Sequence, residues 1–301
     1  MNNDFILQDR LQKIRQIINE YGEENFYISV SGGKDSTVLS VLVDMAIPGN
    51  NIPRVWADTG LDFELIRKFV FNKIEHDNRF IRIEPSVPII PMLKKYGYPF
   101  KSKQHSETLH SYQLNPDNLW PTKYVNGGYN WSGGTCPNIL KYQFTPEFNI
   151  PVSDKCCLYM KEKPLNNWAK ENNRPYHIIG IMLDEGGRRQ SAKCLAFRNN
   201  KLHSFQPLVA VNKEWEKWFI DKYNIELCEL YYPPYNFERT GCKGCPFNIK
   251  LQHELDILEK YFPNERKQCE IIWKPVYDEY RRIGYRLKKA SNYVEEMLLE
   301  M

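Results

Sequence analysis

FYISVSGGKDSTVLSVL, residues 26–42, sets a short β-prone run against a helical one, with two glycines, a lysine, an aspartate and several hydroxyls between them. Glycines at a strand-to-helix turn let the backbone bend sharply and bring its N–H groups close to a ligand. The helix N-terminus adds partial positive charge, so the turn reads as an anion site. Ser31 and Ser36 offer hydroxyls and Lys34 a full charge. Asp35 suits a phosphate site only if a cation sits nearby or if it orients the loop. The spacing is neither G-x-x-x-x-G-K-[ST] nor G-x-G-x-x-G. A plain glycine-containing turn with an ordinary helix cap is the competing reading.

Outward from this turn the periodicity keeps changing. Leu11, Ile14, Ile17 and Ile18 predict an amphipathic helix over about 6–21. IPRVWADTG predicts a second strand, FELIRKFVFNKI a helix, RFIRIEPS a third strand and YHIIGIM a fourth. Helical patterns return in VNKEWEKWFIDKY, in LQHELDILEKYF and over 294–299. Strands alternating with helices predict an α/β fold: a parallel twisted sheet flanked by helices. The stretch 99–150 is rich in Asn, Gly, Pro, Tyr and Ser, and reads as an insertion or lid with short helices at most. The expected division is a nucleotide-binding α/β domain over 1–235, carrying that insertion, and a cysteine-pair and helical segment over 236–301.

The chain has 301 residues, 42% of them hydrophobic, enough for a substantial core. A net charge of +4 permits an anionic ligand without demanding nucleic acid. No run of about 18 apolar residues is present, so no membrane span is expected. The N-terminus lacks a signal-peptide pattern, and the chain reads as cytoplasmic. In a reducing compartment its eight cysteines are better suited to metal binding or chemistry than to a disulfide framework.

The hexapeptide SGGKDS, Ser31–Ser36, resembles the pyrophosphatase loop (PP-loop) of the adenine nucleotide alpha hydrolases. That superfamily includes ATP pyrophosphatases, tRNA-thiolating enzymes and the phosphoadenosine phosphosulfate (PAPS) reductase family. The resemblance implies a Rossmann-like fold. It also implies that Ser31, Gly32, Gly33, Lys34, Asp35 and Ser36 hold the β,γ-pyrophosphate of ATP with Mg²⁺, while the α-phosphate reacts.

Four further segments are similar to the PAPS reductase family in particular. DTGLDFE implies nucleotide contacts at Asp58, Thr59 and Gly60; a helix N-terminus capped by Asp58 or Thr59 is the competing reading. GIMLDEGGRRQSAK is similar to a Gly-Ile-Arg-x-Asp-Glu-Ser-x-x-Arg segment. It implies nucleotide contacts at Gly180, Glu185, Arg188 and Arg189, with Met182 and Gly186 departing from the pattern. Cys156 and Cys157, with Cys242 and Cys245 in CKGC, resemble the set that binds a [4Fe–4S] cluster in iron–sulfur adenylylsulfate reductases, zinc being the alternative. QPLVAVNKEWEKWFIDKYNIEL resembles the family's Pro-Leu followed by a Trp-containing helix. Cys136, Cys194, Cys228 and Cys269 read as small buried hydrophobes, Cys136 being the first candidate for an exception.

Family reductases use a thiol in a Glu-Cys-Gly-x-His segment, and KQCEIIW around Cys269 does not match it. Together with the full ATP-type loop, this favours an ATP pyrophosphatase that adenylates an acceptor for sulfur transfer. Lys34, Asp35 and Arg189 are then the expected catalytic residues. The DNA-phosphorothioation sulfurtransferases are the nearest functional analogy. A nucleic-acid acceptor, a sulfur donor such as a cysteine desulfurase and a homo-oligomer go with that reading. Tyr112, Trp120, Lys123, Tyr124, Tyr129 and Trp131 either cover the acceptor or pack the lid's own core. An adenylylsulfate or PAPS reductase releasing sulfite is the alternative enzyme. A nucleotide- or nucleic-acid-binding module with a structural cluster or zinc is the alternative of another class.

Overall fold

In the computed structural model, which describes residues 2–127, 134–183 and 192–289, the alternating periods become alternating strands and helices. The elements run α1 (Asn3–Tyr21), β1 (Phe26–Val30), α2 (Lys34–Ala46), β2 (Arg54–Ala57), α3 (Glu64–His76) and β3 (Phe80–Ile83). Next come α4 (Ile89–Tyr96), α5 (Lys103–Leu114), α6 (Leu119–Asn126), the short α7 (Lys155–Cys157), a π-helical turn at Leu158–Glu162 and α8 (Lys163–Glu171). The remainder is β4 (Tyr176–Ile178), β5 (Leu195–Arg198), β6 (Lys201–Phe205), α9 (Lys213–Lys222), α10 (Leu251–Tyr261) and α11 (Pro263–Ile283). The expected helix at 294–299 lies outside the described residues. No helix among the described residues is long and apolar enough to cross a membrane.

Contacts divide the chain into two compact units: Met1–Ser86 with Lys161–Gly241, and Val87–Met160 with Cys242–Met301. The first unit holds one six-stranded sheet in the order β3-β2-β1-β4-β6-β5. Its pairings are parallel, as the sequence predicts, except the last. There β5 and β6 form an antiparallel hairpin, with a register shift between Ala196 and Phe197. Asn199 and Asn200, at φ of 51° and 59°, make its two-residue turn, because Asn tolerates the left-handed region that such turns require.

Both sheet faces are covered, which is why β1 and β2 read as nearly continuous apolar runs. Register puts Tyr27, Val55 and Ile83 on one face, where Ala169, Leu165 and Trp168 of α8 pack on them. Trp56 on the other face meets Phe71 of α3 edge to face at 5.5 Å.

Within the second unit the stretch 99–150 differs from the expectation of short helices at most, since α5 alone runs for 12 residues. Its buried face carries His105, Ser106 and Thr108 beside Leu109, so apolar periodicity gives little sign of it. Those polar groups are satisfied internally. Ser102 caps the helix by accepting from the His105 N–H, and the Ser106 hydroxyl both accepts from and donates to the Phe100 backbone. Lys101 donates to the Tyr124 hydroxyl, Tyr124 bonds His105 Nδ1 at 3.1 Å, and His105 Nε2 bonds Gln143 Oε1 at 2.7 Å. Tyr112 and Tyr124 both pack on Phe144, so these two aromatics serve the unit's own core. Tyr129 and Trp131 lie outside the described residues.

Burial pushes the His105 imidazole down to about 3, with Lys101 and Arg286 acting in the same direction. A histidine depressed on folding binds its proton first in the unfolded chain. Stability therefore falls as pH drops below about 6.5, at about 1.4 kcal/mol per pH unit. Denaturant unfolding at pH 7 and pH 5 should show wild type losing about 2 kcal/mol more than His105→Gln over that interval. Equal slopes for the two proteins would contradict the assignment.

Candidate functional site

Between β1 and α2 the chain turns through Gly32 at φ +70°, which L side chains rarely adopt. A Cβ there would also stand 2.7 Å and 2.8 Å from the Val70 and Ile66 methyls of α3. The turn then delivers the N-terminus of α2, whose first N–H groups have no partner within the helix. Hydroxyls take the first of these, at Lys34, and two N–H groups of the turn before it. Ser31 Oγ accepts from Gly33 N, Ser36 Oγ from Ser31 N and the Tyr231 hydroxyl from Lys34 N. Tyr231 is held in turn by Thr240 at 2.7 Å. Gly33 caps α2, and a Cβ on it would come within 3.1–3.3 Å of Thr240 Oγ1, Ser31 Oγ and the Tyr231 hydroxyl. The position is thus the floor of a small cradle of hydroxyl and N–H groups.

The cradle opens on a cavity of about 300 Å³, walled by Gly33–Ser36, by Trp56 and Ala57 at the end of β2, and by Lys161, Gly180, Arg239 and Thr240. Gly180 has its own reason to lack a side chain: a Cβ would lie 2.9 Å from the Asp35 carbonyl oxygen. A neighbouring cavity of about 610 Å³ shares Lys34, Asp35, Tyr231 and Arg239, and adds Met182, Glu216, Tyr232 and Phe237.

Charge at the mouth of the cradle is concentrated on one lysine and two carboxylates. Lys34 Nζ is 2.7 Å from Asp35 Oδ1 and bonds Glu216 Oε2 from α9. Burial works against the Lys34 charge, but Asp35 and Glu216 outweigh it and hold its pKa above the ordinary value. Burial pushes the Glu216 carboxyl up to about 7, and the Asp35 charge adds to this against the pull of Lys34. Sequence reading did not single out Glu216, Tyr231, Thr240 or Lys161. Their common signal is weak: one acidic residue in an amphipathic helix, two hydroxyls in a Pro-rich turn and a lysine among several.

The segment Asp58–Gly60 follows directly on the end of β2. Asp58 is buried and accepts from Arg67 and Arg82, both at 2.9 Å, and from the Gly60 N–H. Burial works against its charge, yet Arg67, Gly60 and Arg82 hold its pKa below the ordinary carboxylate value. Neither Asp58 nor Thr59 caps α3, whose N-cap is Phe63 with no side-chain bond. The segment reaches the cavity wall through Asp62, 3.8 Å from Lys161, with the Thr59 hydroxyl donating to Asp62. Glu185, Arg188 and Arg189 lie outside the described residues.

In the second unit Cys156, Cys157, Cys242 and Cys245 gather. A hydrogen bond with Cys157 is the largest influence pushing the Cys156 thiol well above its usual range, followed by burial and the charges of Cys157, Cys245 and Cys242. Burial raises Cys245 similarly, with Cys242 and Cys157 contributing. Among the described residues no group of three or more His, Cys, Asp or Glu side chains meets in a metal-holding arrangement. The thiols are neighbours rather than a closed ligand shell. The donor chemistry nevertheless fits a cationic centre, since each thiol opposes ionisation of the others and a bound cation relieves that repulsion.

The CKGC turn itself is firmly held. Trp273 Nε1 donates to the Lys243 carbonyl at 3.1 Å, the Tyr277 hydroxyl to Gly244 O at 2.5 Å and Tyr280 to Pro246 O at 2.9 Å, all three donors lying on α11. Glu254 of α10 accepts from the Gly244 N–H at 2.6 Å. Gly244 has φ +62°, and a Cβ on it would strike the Tyr277 hydroxyl and Cys269 Sγ. Cys136, Cys228 and Cys269 are buried and Cys194 half-buried.

Two glycine variants separate the roles within the turn. Gly32→Ala forces a left-handed alanine against α3 and should cost about 2 kcal/mol or more of stability. Gly33→Ala, at an ordinary φ, should melt within a few degrees of wild type, while its methyl crowds the cradle and lowers affinity for a nucleoside triphosphate. Thermal unfolding and equilibrium binding check the pair. Equal destabilisation by both would contradict the geometry.

None of the curated proteins compared with the chain matches it. Solved structures it is similar to include PAPS reductase from Candida auris, at 13% identity over 74% of this chain and 90% of that one, TM-score 0.39. The U34-tRNA thiolase NcsA from Methanococcus maripaludis, with its [4Fe–4S] cluster, is 14% identical over 92% of this chain and 80% of its own, TM-score 0.42. NH3-dependent NAD synthetase from Campylobacter jejuni is 10% identical over 94% and 97%, TM-score 0.41. The family of the phosphoadenosine phosphosulfate reductase domain matches residues 138–248, a span that takes in all four clustered cysteines and Gly180 but not the Ser31–Ser36 turn. The resemblance read from the motifs is thereby borne out: over residues 138–248 this chain is similar to the phosphoadenosine phosphosulfate reductase domain.

Proposed function

We propose that the protein is an ATP pyrophosphatase that adenylates an acceptor oxygen, releases pyrophosphate and so prepares the acceptor for sulfur transfer. The observation that carries this is the cradle at the start of α2, where hydroxyls occupy N–H groups beside Lys34 at the mouth of a cavity. Phosphate oxygens are acceptors of the same kind as those hydroxyls, with more charge.

In this reading the acceptor oxygen attacks the α-phosphorus and the bond to the β-phosphate oxygen breaks. Ser31, Gly33 and Ser36 hold the β,γ-pyrophosphate, and Lys34 offsets the charge that builds as it leaves. Asp35 is the nearest oxygen ligand for the Mg²⁺ that accompanies ATP. Lys161 and Arg239, on the wall, are placed to bear on the same phosphates or on the acceptor. Arg188 and Arg189 are proposed on the motif alone. Catalysis of this type is positioning and charge stabilisation, so no covalent role for a side chain is required.

Cys156, Cys157, Cys242 and Cys245 are the proposed ligands of a [4Fe–4S] cluster, with zinc as the alternative. A bound cluster would supply sulfur-handling chemistry or brace its unit.

Radiolabelled ATP incubated with the protein and candidate acceptors, nucleic acid among them, should yield pyrophosphate and labelled adenylyl-acceptor, with AMP released once a sulfur donor is added. Lys34→Ala should lower that yield on the order of 100-fold, the scale seen when one charge-stabilising donor is removed. An undiminished yield would end the loop assignment. Anaerobically purified protein should be brown, with about four irons per chain. Cys242→Ser should lose colour and iron together, while a colourless zinc protein would favour the structural site. The reductase reading is kept because the matched family is named for that activity. Sulfite release from a sulfated adenine nucleotide and a thiol donor would establish it.

A further inference from the structure

Glu216 is nearly sealed from solvent, at 2% exposure. One of its oxygens bonds Lys34, but Oε1 is buried with no hydrogen-bond partner. An unpartnered carboxylate oxygen in the interior is costly and calls for an occupant that can satisfy it. Asp35 supplies a second carboxylate at the same spot, because a single ammonium touches both. With Glu216 ionised, two carboxylates around one cation carry net charge −1, a poor surface for a polyphosphate. The same two carboxylates around a divalent cation carry none.

We infer that Asp35 and Glu216 form a divalent-cation seat at the start of α2, in which the Lys34 ammonium stands where the cation sits once Lys34 has turned to the phosphates. The inference deepens the proposed reading, on which its link to the triphosphate rests. It assigns the second protein ligand to a residue of α9 to which the sequence reading gave no role. Oxygen-only donors suit Mg²⁺ or Mn²⁺, which keep most of their shell as water and phosphate. Among the described residues the other charges around the same cavity are Lys213, Lys217, Asp221, Glu238 and Arg239.

The seat can be tested without nucleotide. Mn²⁺ is titrated into the full-length chain, and bound metal is read from loss of the free Mn²⁺ paramagnetic resonance signal. Lys34→Met removes the resident ammonium and should tighten Mn²⁺ binding roughly tenfold or more, the scale on which groups surrounding ligands shift metal affinity. Adding Glu216→Gln to that background should abolish the gain. Circular dichroism confirms that each variant folds, and Lys34→Gln replaces Lys34→Met should the latter not. If the lysine variant binds Mn²⁺ no better than wild type, or the double variant keeps the gain, the inference is overturned.

A second arm uses a non-hydrolysable ATP analogue. With the analogue bound, Glu216→Gln should weaken Mn²⁺ binding by roughly tenfold, while metal-free analogue affinity does not fall. Unweakened Mn²⁺ binding in that ternary complex also overturns the inference. Failure of the wild-type chain to bind the analogue would instead refute the nucleotide reading and leave the result of the first arm standing.

Discussion

The approach of residue 180 to the backbone of α2 constrains everything around it. A methyl at that position would press on the Asp35 carbonyl, and a methyl at Gly32 would press on α3. Two missing side chains therefore let the strand-to-helix turn lie between the chain leaving β4 and the helix before β3. The first N–H groups of α2 then face a cavity rather than a packed wall. The hydroxyls, the lysine and the carboxylates matter because this backbone geometry brings them together.

Packing explains why one lysine can be so heavily engaged. Tyr231 and Thr240 come from the chain before the CKGC turn, Glu216 from α9 and Asp35 from α2. Each approaches the same few ångströms from a different part of one unit. The arrangement favours charge over stability: a buried carboxylate shared with a neighbouring acid is an expensive way to hold a lysine. Such an expense is common at sites that handle ligands and uncommon in cores.

Much of the first unit was legible because its physics is local. The strands around Ile28, Val55 and Ile178 are short β-branched runs, and the helices between them carry ordinary apolar stripes. The hexapeptide at Ser31 gave the turn, and the cysteine spacing gave a cluster of thiols. Legibility failed where the signal was not apolar periodicity. The face of α5 that includes His105, Ser106 and Thr108 is buried by mutual hydrogen bonding, which a hydropathy pattern does not register. The hairpin of β5 and β6 hid behind an Asn-Asn turn rather than a glycine. Glu216 looked like any acid on a helix surface, and only the partner across from it gives it meaning. The bonds from Arg67 and Arg82 to the buried Asp58 carboxylate were equally out of sight, because both partners lie elsewhere in the sequence.

The outer rim of the sheet carries a consequence of its own. In the described sheet β5 has no neighbour beyond it, and a strand in that place offers its unpaired backbone to any passing chain. The slip of pairing between Ala196 and Phe197 breaks the regular spacing of those groups. Phe197, more than half exposed beside that slip, would otherwise invite another molecule to extend the sheet. The irregularity makes the rim a poor template, and thereby guards the protein against edge-on stacking with its own copies.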